Sequence, residues 1–145
     1  MKFLQLFIHF LIMNGIHECL NLQFLNLNLR NVCLKDKGEY LGSSIAKNRN
    51  IQHLTLKMHS NNDIEDQGIS FIGQSLAQFK NLQNLKLVIW FNNKGVACLQ
   101  NLQMGIAQCE NLSILTLIIG FQNLLNQSLE EINLLELNFR VYLFF

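Results

Sequence analysis

Two rhythms of apolar and polar residues alternate along the chain. In LQFLNLNLR, IQHLTLKMH and NLQNLKLVIWFNN the period is two. That period sends successive side chains to opposite faces of a strand and leaves one face for burial. Between these segments the apolar spacing lengthens to four, pairing Leu41 with Ile45, Ile72 with Leu76, and Leu102 with Ile106. A spacing of four stacks both members on one helical face. GEYLGSSIAKNRN and GISFIGQSLAQFKN are the helices this predicts, with Gly38 and Gly68 expected in tight turns near their starts.

Aligned on the strands, the pattern repeats. The first copy carries Leu22, Leu25, Leu27 and Leu29, and the second Ile51, Leu54, Leu56 and Met58, then Asn61. The third carries Leu82, Leu85, Leu87, Ile89 and Asn92. The fourth carries Leu112, Leu115, Leu117 and Ile119, with Asn123 one place late. Clear repeats thus begin at 22, 51, 82 and 112, spaced by 29, 31 and 30 residues. Such periods belong to architectures in which each copy buries its apolar face against its neighbours. Asparagine precedes every start (Asn21, Asn50, Asn81, Asn111), and three places before each start stand Cys19, Asn48, Phe79 and Cys109.

The motif LxxLxLxLxxN, followed by a glycine and a helix with a cysteine or apolar residue near its end, resembles the ribonuclease-inhibitor-like class of leucine-rich repeats. The resemblance runs from Leu22 to about Asn123. It implies an α/β fold: a short solenoid with a curved parallel sheet on its concave face and helices on its convex face. Asn61 and Asn92 stand where a strand ends and the chain turns. An amide there can satisfy backbone groups left unpaired by the turn, and stacked copies would form a structural ladder as in that family. One domain spans 1–145, with 1–21 and 124–145 as atypical capping or truncated units.

Both ends admit more than one reading. MKFLQLFIHFLIMNG has the charged start and apolar centre of a signal peptide, but Gln5 and His9 interrupt it and no small-x-small cleavage site follows. Leu4, Leu6 and Ile8 also fit a further strand. Residues 3–20 fit a capping helix with Ile12 and Ile16 on one face, the preferred reading. Ile132, Leu135, Leu137 and Phe139 repeat the strand spacing near the other end, and the run is too short for a membrane span at either end. The apolar ends, Phe3–Phe10 and Val141–Phe145, offer contacts to another chain, or mark the sequence as part of a longer array.

Composition narrows the chemistry. Half of the 145 residues are apolar, 14% are charged, and the net charge is +1 with no charge block. That balance leaves no electrostatic footprint for nucleic acid or a lipid surface. Four cysteines, Cys19, Cys33, Cys98 and Cys109, form no C-x-x-C pair. Reduced, buried thiols in a cytoplasmic protein are the expectation. No catalytic residue, cofactor or metal is assigned. The histidines are His9, His17, His53 and His59, and His53 and His59 have no carboxylate or cysteine partner on the same strand face. HSNNDIEDQG gathers Asp63, Glu65 and Asp66 without calcium-loop spacing, and its acids suit the following helix N-terminus. The N-x-S matches at Asn111 and Asn126 are read as chance.

What remains is the strand face turned away from the core. Its outward residues are Asn26, Asn28 and Arg30, then Thr55, Lys57 and His59, Lys86, Val88 and Trp90, and Thr116, Ile118 and Gly120. A fifth strand would add Glu136, Asn138 and Arg140. Read across strands, Arg30, His59, Trp90, Gly120 and Arg140 form one column. Arg30, Lys57, His59, Lys86 and Trp90 are the candidate partner-binding residues, because aromatic and arginine side chains anchor interfaces and the basic groups suit an acidic segment. The expected function is a non-catalytic protein-interaction module or assembly subunit, with a protein partner that includes large assemblies and excludes nucleic acid and membrane. The alternatives are a purely structural subunit packed through its apolar ends, or a regulatory fragment of a longer signalling or ubiquitin-ligase protein.

Overall fold

Alternation of period two, interrupted by helical stretches, builds a sheet whose strands all run the same way, because each helix carries the chain back before the next strand begins. The computed structural model describes residues 14–16, 18–19, 21–30, 34, 38–59, 66–91, 97–121 and 140–144. The elements are β1 (Phe24–Asn28), α1 (Gly38–Ala46), β2 (His53–Met58), α2 (Asp66–Leu76), β3 (Asn84–Phe91), α3 (Ala97–Ala107), β4 (Ile114–Phe121) and β5 (Arg140–Phe144). The class is α/β. The five strands form one parallel sheet in the order of the chain, β1-β2-β3-β4-β5.

Equivalent leucines line up across the strands: Leu25, Leu54, Leu85 and Leu115 in one row, Leu27, Leu56, Leu87 and Leu117 in the next. All but Leu27, which is partly buried, belong to one core. The helical pairs Leu41/Ile45, Ile72/Leu76 and Leu102/Ile106 are buried in the same core. Each fully buried Leu or Ile contributes about 1.5–3 kcal/mol, so the two matched periodicities account for most of the driving force for this arrangement.

The turns from helix to strand repeat as closely as the core does. Asn48, Phe79 and Cys109 each donate their backbone N–H to the carbonyl three residues back, on Ile45, Leu76 and Ile106, at 3.0 Å. A backbone ladder follows. Gln23 O accepts from both Gln52 N and His53 N, Gln52 O from Gln83 N and Asn84 N, and Gln83 O from Ser113 N and Ile114 N, at 2.8 and 3.0 Å each time.

Side-chain amides add rungs between units. Buried Asn48 donates Nδ2 to Ile16 O at 2.7 Å, while Asn81 reaches Arg49 O at 3.3 Å and Asn111 reaches Lys80 O at 2.7 Å. Cys109 occupies the place of Asn48 in its own unit, and its thiol donates to Leu76 O at 3.3 Å. An asparagine ladder is therefore present at the helix-to-strand turns. The expected ladder residues Asn61 and Asn92 lie outside the described residues.

Several expectations require correction. Gly38 and Gly68 do stand near the helix starts, as the first residue of α1 and the third of α2, but in the helices and not in turns, and their smallness serves packing. A Cβ on Gly38 would collide with the Gly68 backbone, one on Gly42 would lie 2.7 Å from Ser75 Oγ, and one on Gly73 2.8 Å from Leu102 Cα. Gly105 in turn abuts the Gly73 backbone. The helices touch backbone to backbone, which only residues without a side chain permit. Cys19, expected buried like Cys109, is exposed. Residues 14–16 and 18 are helical and Ile16 is buried, in line with a helix before β1. The remainder of the N-terminal run, Cys33, and the strand expected at Ile132–Phe139 lie outside the described residues.

Candidate protein-binding face

The period that buries Leu54, Leu56 and Met58 turns His53, Thr55, Lys57 and His59 the other way. Across the sheet this outward parity generates four rows. Phe24, His53, Asn84 and Ile114 lie at the strand starts, followed by Asn26, Thr55, Lys86 and Thr116, then Asn28, Lys57, Val88 and Ile118. At the strand ends Trp90 pairs with Gly120, and Arg30 reaches His59 through its side chain.

The last row is a connected structure. Arg30 Nε donates to His59 Nε2 at 3.3 Å, which requires a neutral imidazole protonated on Nδ1. The Arg30 backbone N–H is itself tied to Asn28 Oδ1 at 3.2 Å. The His59 ring lies nearly parallel to the Trp90 indole, 10° apart with centroids 6.4 Å apart. The indole lies over Gly120, where any Cβ would enter the ring. Three planar groups thus run from β1 to β4, ending on a strand with no side chain to lift the indole. Burial, and then the Arg30 cation, lower the His59 pKa from the usual histidine value, which keeps the acceptor form of the ring.

Arg30, His59 and Trp90 share one row. Lys57 is half-buried on β2, two residues or about 7 Å before His59, and Lys86 is exposed on β3, about 13 Å along the strand from Trp90. Arg140, expected beside Gly120, is instead in register with Thr116, while Phe144 takes the place opposite Gly120. The pairing of β5 falls four residues later than the leucine spacing of 132–139 suggests.

The first row was not among the candidates. The Phe24 and His53 rings are stacked at 4.3 Å and 4°, and Asn84 Nδ2 meets His53 Nδ1 at 2.8 Å. Phe24 and Ile114, at the two ends of this row, are exposed apolar residues, 64% and 56% accessible. Extending the period-two parity two residues toward the N-terminus of each strand finds this row in the sequence.

No carboxylate occupies any outward position of β1 to β4 or of Arg30 and His59 beyond them. The described acids, Glu18, Glu39, Asp66 and Glu110, all lie on helices or turns. Asp66 faces Cys98, where burial, then the Asp66 charge and its hydrogen bond, push the thiol up to about 12. Among the described residues no group of three or more His, Cys, Asp and Glu is arranged to hold a metal ion, and no helix is long and apolar enough to cross a membrane. Comparison with protein-family models, with curated proteins and with solved structures finds no match to this chain.

Proposed function

We propose that the chain is a non-catalytic protein-binding module, a short leucine-rich-repeat solenoid of the ribonuclease-inhibitor-like class that engages a protein partner through the outward face of its sheet. The observation that carries this reading is the connected row Arg30–His59–Trp90 resting on Gly120. It sets an arginine and a large aromatic on a rigid strand scaffold, the residue types that dominate interface energetics. Lys57 and Lys86 extend the same face with positive charge. The repeated turns, the asparagine rungs and the unit spacing support the solenoid. The protonated buried thiols Cys98 and Cys109 support a reducing, cytoplasmic setting.

The test is affinity capture with mass spectrometry on the intact chain and on Trp90→Ala and Lys57→Ala. Partners captured reproducibly by the intact chain should be lost or weakened by more than about 2 kcal/mol with Trp90→Ala, and less with Lys57→Ala. Capture unaffected by both variants removes the sheet face as the binding site.

A further inference from the structure

The row at the strand starts carries large apolar groups at its two ends and polar groups between them. Phe24 on β1 and Ile114 on β4 are exposed, with His53 on β2 and Asn84 on β3 in between. The middle of the row is held in place: Phe24 stacks on His53, and His53 Nδ1 meets Asn84 Nδ2 at 2.8 Å. An amide nitrogen only donates, so Nδ1 is the acceptor and the ring proton sits on Nε2. His53 Nε2–H and the second N–H of the Asn84 amide are then donors at the centre of the row. Exposed Lys86 stands two residues, or about 7 Å, beyond Asn84 on the same face of β3.

The length of the row selects the conformation of what covers it. Three strand spacings, about 14 Å, separate Phe24 from Ile114. An extended chain returns to the same side every second residue and covers about 13 Å in four. A helix returns to one side after about 10.5 Å and about 16.5 Å, and so misses one end of the row. Apolar side chains four residues apart on an extended segment therefore meet Phe24 and Ile114 together. The residue midway between them comes down over His53 and Asn84. Charge complementarity selects that residue, since Lys86 and Lys57 bring positive charge to the face and no outward position of β1 to β4 holds a carboxylate.

We propose that this row seats an extended segment of the partner with apolar residues at its first and fifth places and an aspartate or glutamate at its third. The proposal rests on the reading of the sheet face as protein-binding, and names the chemistry of the partner there. The segment lies across the strands. Its apolar residues bury Phe24 and Ile114, and its carboxylate accepts charge-assisted hydrogen bonds from Lys86.

The probe is the peptide Gly-Ser-Leu-Ser-Glu-Ser-Leu-Ser-Gly with both ends blocked, titrated at about pH 7, where glutamate is ionised, and followed by nuclear magnetic resonance. Shifts should centre on Phe24, His53, Asn84 and Ile114. Moving the second leucine one place nearer or farther should weaken binding about tenfold, because one apolar contact is lost. Phe24→Ser and Ile114→Ser change exposed residues, and each should weaken binding by a similar factor with an unchanged circular dichroism spectrum. Lys86→Glu should reject this peptide and take up its counterpart with lysine in place of glutamate, a reversal that a purely structural lysine would not give. Shifts centred elsewhere, no binding, or indifference to the leucine spacing overturns the proposal. So does self-association, or binding of oligothymidylate, that Phe24→Ser abolishes, since the occupant is then a second copy or a nucleic acid. Partners captured by the intact chain that depend on Trp90 but on neither Phe24 nor Ile114 overturn this row alone and leave the protein-binding reading standing.

Discussion

At the scale of single residues, the sharpest constraint is Gly120. Its backbone is ordinary strand, so the requirement for glycine comes from the indole above it and not from conformational freedom. Gly120→Val should drive Trp90 off β4, shifting its emission to the red and exposing it to acrylamide, with a loss of about 1–3 kcal/mol from overpacking. Unchanged emission would mean that the indole does not depend on that contact. The cysteines divide by environment. Burial raises the Cys98 and Cys109 thiols, to about 12 and about 11, whereas Cys19 is exposed. Native-state alkylation read by mass spectrometry should label Cys19 ahead of Cys98 and Cys109. Because the fold holds these thiol protons more tightly than the unfolded chain, their contribution to stability is complete below the ordinary thiol pKa. It is lost as pH rises from about 9 toward the folded values of 11–12.

At the scale of elements, the inter-unit amides differ mainly in burial. Asn48 is 1% accessible and satisfies Ile16 O, whereas Asn111 makes a similar 2.7 Å bond at the surface. Asn48→Ala should cost about 1–3 kcal/mol by leaving a buried carbonyl unmet. Asn111→Ala should cost less than about 1 kcal/mol, since water replaces the lost donor. Urea unfolding of the two variants measures both, and equal losses would show that burial is not what separates them. The elements were largely legible in the sequence. Strand faces follow from the period of two and helix faces from Leu41/Ile45 and its counterparts. The helix–helix contact was not, because apolar periodicity says which side of a helix faces the core and nothing about how near two backbones come. Gly38, Gly42 and Gly73 carry that information only once the helices are placed. The register of β5 was not legible from leucine spacing, because backbone hydrogen bonding decides the partner of Arg140.

At the scale of the molecule, the units share one core, so damage to any central position is felt throughout. Leu87 is fully buried on β3, between β2 and β4. Leu87→Ala should cost about 2–5 kcal/mol. It should move a single unfolding transition, seen together by circular dichroism and Trp90 fluorescence, and separate transitions for the two signals would break that expectation. The outward row was legible in part. Arg30, His59 and Trp90 could be aligned by counting, but the Arg30–His59 bond and the near-parallel rings are three-dimensional facts. The row of Phe24, His53, Asn84 and Ile114 shows how far the same counting extends.

The backbone contacts between helices also govern the proportions of the molecule. Neighbouring strands lie about 4.8 Å apart, while ordinary helix pairs keep their axes about 8–10 Å apart. With one helix between each pair of successive strands from β1 to β4, the helical layer is wider than the strand layer to which it is tethered. Gly73, pressed against Asn101, Leu102 and Gly105 of α3, acts as a missing shim that lets the wider layer contract. A methyl group there would thicken one layer and leave the other untouched. The mismatch would be relieved by fanning successive units apart, changing the angle at which distant side chains on the strand face meet a common ligand.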